Sequence, residues 1–257
     1  MKALKRLYDK SKIWFALLWI AAYCILMSAG DALSALVGVE KSVTLAIGAL
    51  LSAALLLFLK KYGLLSDFGL CAPRTSARSM LYYLPVLLML TANLWYGVSL
   101  SRDATGAVLY ILSMLLVGFL EEVIFRGLLF EAMRGDGERV AVIVSSLTFG
   151  IGHIINLVNG SGAELLPNLL QVVYATAAGF MFVLMYCKSR SLVVPIIAHG
   201  VFNALSVFAS EAGISAEARI LTALLLTVIT GSYAVYLALS MIKGKGISSR
   251  EKGDPHE

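Results

Sequence analysis

Long apolar segments separated by short clusters of charge recur along the whole of this 257-residue chain. No other feature limits the fold as strongly. A helix rises about 1.5 Å per residue, so about 20 apolar residues cross a hydrocarbon core of about 30 Å. Inside that core every backbone N–H and C=O must be satisfied within the protein, which leaves helices as the natural form for segments of this length. Composition agrees. Apolar residues make up 59% of the chain and charged residues 14%, against about 25% charged in a typical soluble domain. The net charge of +5 does not indicate nucleic acid, because the basic residues lie between the apolar segments and form no domain of their own. The partner they imply is a lipid bilayer.

The pattern predicts an all-α, polytopic transmembrane bundle of about eight helices, near 13–36, 43–60, 79–100, 107–133, 139–158, 164–187, 191–210 and 217–242. Residues 1–243 read as one transmembrane domain and 244–257 as a polar, disordered cytosolic tail. The basic start followed by an apolar run has the look of a signal peptide. Similar segments keep following it, however, so an uncleaved first helix is expected. The three cysteines, Cys24, Cys71 and Cys187, have no paired spacing and imply no disulfide framework. Orientation follows from the distribution of Lys and Arg. With the N-terminus in the cytosol and sides alternating, only Lys41, Arg102 and Arg219 fall outside and Arg126 falls within a helix. The other seventeen of the 21 lie on the cytosolic side. A multi-pass protein of the cell membrane with both termini cytosolic, and of bacterial origin, is the expectation.

Ionisable side chains within a bilayer cost about 2.5–3.5 kcal/mol each on insertion scales and so need a reason. The fourth segment carries Glu121, Glu122 and Arg126, the fifth His153, and the seventh His199 and Asn203. Counted from the cytosolic ends of their helices, Glu121, His153, His199 and Asn203 fall in one band, about 12–21 Å deep at about 1.5 Å per residue. Glu122 and Arg126 are four apart in the order that favours an ion pair on one helical face. Glu121 is turned by about 100° and faces elsewhere. His199 and Asn203, also four apart, project toward one cavity. Gly150 and Gly152 suit close helix approach, and Pro195 is placed to kink the seventh helix. A single buried His or Asn commonly serves as interhelical glue, and a Glu–Arg pair as a clamp. A second glutamate at the level of two histidines is not explained that way.

At these residues the chain resembles the CAAX proteases and bacteriocin-processing enzymes, also called the Abi family of intramembrane peptidases. Their three motifs, EExxxR, FxxxH and HxxxN or HxxxB, are matched in order by Glu121-Glu122-Val-Ile-Phe-Arg126, Phe149-Gly-Ile-Gly-His153 and His199-Gly-Val-Phe-Asn203. The resemblance covers about 107–210. It implies a four-helix catalytic core whose site opens toward the cytosol, with Glu121 and His153 activating a water. His199 and Asn203 would stabilise the oxyanion, and Glu122 and Arg126 would support the site. The roles are chemically sound. A desolvated carboxylate is a competent general base, and Asn and His N–H groups donate well to a developing oxyanion.

The expected activity is endoproteolysis of a hydrophobic or lipid-modified peptide without a metal cofactor. One alternative is a zinc-dependent form with His153, His199 and Glu121 as ligands. Another is a non-catalytic scaffold or immunity protein on the same fold. Peptide pheromone precursors, bacteriocin leaders and prenylated tails all suit such a cavity.

Overall fold

The computed structural model describes residues 1–81, 83–157, 159, 164–210 and 214–251. It is all-helical, as expected. In chain order the helices are α1 (Lys2–Lys10), α2 (Lys12–Val37), α3 (Ser42–Lys61), α4 (Ala77–Met80), α5 (Tyr83–Thr91), α6 (Ala104–Glu122), α7 (Phe130–Met133), α8 (Glu138–Gly152), α9 (Leu165–Ser189), α10 (Val193–Leu205) and α11 (Ala216–Glu251). A π-helical stretch, Val123–Leu129, joins α6 to α7. Counting such extensions, six helices among the described residues are long and apolar enough to cross a membrane: Lys12–Val37, Ser42–Lys61, Ala104–Asp136, Glu138–Leu157, Leu165–Ser189 and Ala216–Ile242. Two shorter apolar helices, Leu84–Leu94 and Val193–Phe208, complete the eight segments.

Local chemistry sets several boundaries. Ser11 accepts from the Trp14 amide at the start of α2, and Asp103 accepts from the Gly106 amide at 2.8 Å at the start of α6. These side chains replace the partners that the first-turn amides lack. Gly38 ends α2 in the left-handed region, φ 77°, where a residue without Cβ is unstrained. The third expected helix, 79–100, is instead broken. Leu81 turns left-handed at φ 51°, and the chain restarts at α5 with Pro85 in its first turn, where a missing N–H costs nothing. The segment then ends near Leu94, too short to cross alone. Pro195 likewise sits in the first turn of α10, so it starts that helix and does not kink it. At the C-terminus α11 continues to Glu251, past the expected end near 242, and 252–257 lie outside the described residues.

The outward surface is apolar. Trp14 (66% exposed), Ile25, Leu36 (84%), Leu50 and Val228 are among many exposed large side chains, far more than a water-facing monomer presents. The interior is the reverse of that surface, with Glu122 and Arg126 fully buried beside Leu120, Phe182 and Phe149.

The bundle has two chemically distinct ends. At one, Lys188 reaches the Ser79 carbonyl and Ser240, Tyr186 donates to Glu131, and Arg134 and Arg190 flank Glu131. Lys12, Lys60, Lys61 and Arg139 belong to this basic end by the order of the helices. At the other end Lys41 pairs with Asp31 at 2.7 Å, Arg102 holds Glu40 through two hydrogen bonds, and Ser99 bonds to Phe208. Among the described residues, these basic side chains thus gather at the end that the sequence count expects to be cytosolic.

Candidate active site

The site forms where α6 crosses α10. Gly118 and Gly200 meet there so closely that a Cβ on Gly118 would lie 2.5 Å from the Gly200 nitrogen and 2.6 Å from its Cα. One turn on from this crossing come Glu121 and Glu122 on α6, with His199 on α10 opposite. The close approach is what brings a helix carrying two carboxylates within reach of a histidine ring.

His199 lies between the two glutamates. Its Nδ1 is 2.8 Å from Glu122 Oε1, and its Nε2 is 3.4 Å from Glu121 Oε2. A carboxylate only accepts, so the Nδ1 contact fixes a proton on that nitrogen. Glu122 also lies 3.1 Å from Arg126 Nη1, with both side chains fully buried. The expected ion pair is present, and it has a second task, the orientation of His199. Arg126 is further held by stacking, its guanidinium carbon 3.9 Å from the centre of the Phe149 ring, a desolvated cation–π contact. Phe149 meets His153 and His199 edge-on, while Phe182 stacks on His199 at 5.6 Å. Both histidines and the arginine are therefore locked against one aromatic pair.

The backbone departs from the α form at both key turns. The π-helical stretch Val123–Leu129 follows the glutamate pair directly, as such turns often do at functional sites. Ser145 of α8 donates to the Phe125 carbonyl at 2.8 Å, giving a partner to a backbone group in that irregular stretch. His153 stands where α8 tightens into a 3₁₀ turn, His153–Leu157. Its Nδ1 is 3.0 Å from the Phe149 carbonyl. A carbonyl also only accepts, so Nδ1 is the donor in this contact, and in a neutral ring Nε2 is then the acceptor. Asn168, itself buried, donates to the His153 carbonyl at 2.8 Å and fixes the turn.

A cavity of about 400 Å³ is lined by Glu121, His153 and Asn203, and a smaller one of about 50 Å³ by His153, His199 and Asn203. All four candidate residues thus surround one junction, with His153 and Asn203 shared by both spaces. Gly150 packs as expected, since a Cβ there would lie 1.9 Å from Thr176 Oγ1, but Gly152 faces open space on the cavity wall. Among the described residues no group of three or more His, Cys, Asp and Glu side chains is arranged to hold a metal ion.

Sequence reasoning missed Tyr23. Its hydroxyl donates to Glu121 Oε1 at 2.6 Å across 98 residues of chain, and a tyrosine in the middle of the first long apolar helix was the available signal. It also missed the polar lining beyond Glu121, where Asn156 donates to Gln171 at 3.2 Å and Tyr110 and Ser206 share a 2.8 Å hydrogen bond. From Glu121 the lining runs through Tyr110 to Asp31, Lys41 and Asn159, toward the end away from the basic residues.

Comparison with known proteins falls on the same region. Residues 103–205 match the family model described as type II CAAX prenyl endopeptidase Rce1-like. A curated protein of Bacillus subtilis (strain 168), named "Putative membrane peptidase YdiL", is 29% identical over 118 residues, 42% of this chain and 43% of that protein. The chain thus aligns with less than half the length of that relative. No solved structure gives a significant match. The resemblance carried by the three motifs is borne out: the segment that builds this site, 103–205, matches the CAAX prenyl endopeptidase family.

Proposed function

We propose that this protein is an intramembrane endopeptidase that hydrolyses a peptide bond in a hydrophobic or lipid-modified peptide, with Glu121 as the group that activates water. The observation that carries this reading is the convergence of Glu121, His153, His199 and Asn203 on one cavity junction in the interior of an apolar bundle. A purely structural Glu–Arg clamp needs Glu122 and Arg126 alone. It does not need a second carboxylate facing open space with a tyrosine hydroxyl aligned on it.

In this mechanism a water beside Glu121 loses its proton to the carboxylate as its oxygen attacks the scissile carbonyl. Tyr23 holds one carboxylate oxygen in place at 2.6 Å and leaves the other for the proton. Nε2 of His153, an acceptor in the tautomer fixed by the Phe149 carbonyl, orients the same water. The negative charge that develops on the carbonyl oxygen is met by the Asn203 amide N–H and, when its ring carries both protons, by His199 Nε2–H. Collapse of the intermediate breaks the C–N bond, and the proton on Glu121 passes to the leaving amine. Glu122 and Arg126 touch none of the reacting atoms and position His199. The reaction proceeds without a metal.

The test is cleavage of quenched fluorescent apolar peptides by purified protein in detergent, wild type against Glu121→Gln. Loss of cleavage in a variant that remains folded and monodisperse is expected. A peptide-cleaving preparation whose activity survives Glu121→Gln would refute the assignment.

A further inference from the structure

The lining of the cavity bears on a point where the family resemblance implies the opposite, the side from which the site is reached. Along α6 the lining extends from Glu121 back to Tyr110, eleven residues or about 16 Å of helix. The same wall is formed by Asp31 on α2, by Lys41 before α3, and by Asn156 and Asn159 at the end of the α8 segment. All of these lie at the end of the bundle that holds Lys41 and Arg102. In the other direction the way is shut: Val123 through Phe130 are buried without exception, and Phe68 and Leu192 close over Gly127. Among the described residues, Lys60, Lys61, Arg134, Arg139, Lys188 and Arg190, members of the set that the charge count places in the cytosol, lie beyond this plug, on the far side from the cavity. Positive charge of that weight stays on the cytosolic side.

From these two observations we infer that the active-site cavity opens to the non-cytosolic face and receives peptide presented from that side. The inference rests on the peptidase reading and narrows it. A lipid-modified tail anchored in the cytosolic leaflet faces the buried plug and has no path to Glu121. An extended segment entering from the outer face meets first Lys41 and Asn159, then the amide and hydroxyl groups of Asn156, Gln171 and Tyr110, which suit the N–H and C=O groups of a peptide main chain. Methionine and aromatic side chains between them, Met27, Met114 and Phe202, provide adaptable apolar contact.

Accessibility and cleavage test this separately. In a background without Cys24, Cys71 and Cys187, single cysteines are introduced at the cavity mouth by Asn159→Cys and, as a second reporter, Ser28→Cys. Ser76→Cys marks the basic end. A membrane-impermeant charged maleimide is applied to spheroplasts and to inverted vesicles. The mouth cysteines should react in spheroplasts, and Ser76→Cys only in inverted vesicles. Labelling of both mouth positions only in inverted vesicles would overturn the inference. With the unmodified protein, a soluble apolar reporter peptide should be cut when added outside spheroplasts and spared by sealed inverted vesicles. The opposite preference again overturns the inference. Mouth labelling from outside with no cleavage from either face refutes the peptidase reading on which the inference rests, and leaves the orientation standing.

Discussion

Gly118→Ala measures how far catalysis depends on the α6–α10 crossing. The added Cβ would lie 2.5 Å from the Gly200 nitrogen, 2.6 Å from Gly200 Cα and 3.2 Å from the His199 carbonyl carbon. All three are backbone atoms, so no side chain can rotate away. Ordinary contact begins at 3.4 Å, so α10 must retreat from Gly200 Cα by about 0.8 Å, a shift of the overpacking kind that costs about 1–3 kcal/mol. His199 adjoins the displaced residue. Adding that retreat to its 2.8 Å contact with Glu122 gives about 3.6 Å, outside hydrogen-bond range. A displacement near 1 Å in a catalytic constellation costs about 10²-fold in rate. Turnover by Gly118→Ala should therefore fall about 10²-fold, measured per folded molecule after thermal melting in detergent. The converse substitution is the control. The nearest atoms to a Cβ on Gly200 belong to Leu115, at 3.3–3.5 Å, and one on Gly231 meets nothing within 4 Å, so Gly200→Ala and Gly231→Ala should keep most activity. If Gly118→Ala turns over as fast as these two, the crossing does not set the catalytic geometry.

Glu121→Gln should abolish cleavage with yield and melting temperature nearly unchanged. Glu122→Gln should lower stability, since breaking a buried pair such as Glu122–Arg126 costs about 3–5 kcal/mol, and should also slow turnover per folded molecule because His199 loses its anchor; a stable but dead Glu122→Gln beside an active Glu121→Gln would exchange their roles. Tyr23→Phe removes one hydrogen bond to a charged group, worth about 1.5–3 kcal/mol, and should lower kcat by about tenfold or more with KM little changed; a rise in KM alone would place Tyr23 in substrate binding. Prolonged chelation should leave cleavage intact, checked by elemental analysis, and activity lost to chelation and restored by zinc would show that the site works with a metal after all.

The sequence by itself determined the class of fold, because the hydrocarbon core imposes a length and a polarity rule that can be counted one segment at a time. It also determined the Glu122–Arg126 pair and the His199–Asn203 face, since four-residue spacing on a helix is local geometry, and the motif residues were recognisable without coordinates. What it left undetermined were distances between segments. Nothing local places Tyr23 against Glu121, 98 residues away, or sets His199 between two carboxylates. Nor does spacing disclose that the helix after Glu122 widens into a π turn. The break at Leu81 that shortened the third segment is also a packing outcome, because apolar content alone does not separate a helix that crosses from one that stops. The direction of the cavity lay furthest from the sequence. Charge counting could place the two ends of the bundle, but which end is open depends on where side chains from α2, α6, α8 and α10 leave space and where they close it, and that is settled only when all the helices are packed together.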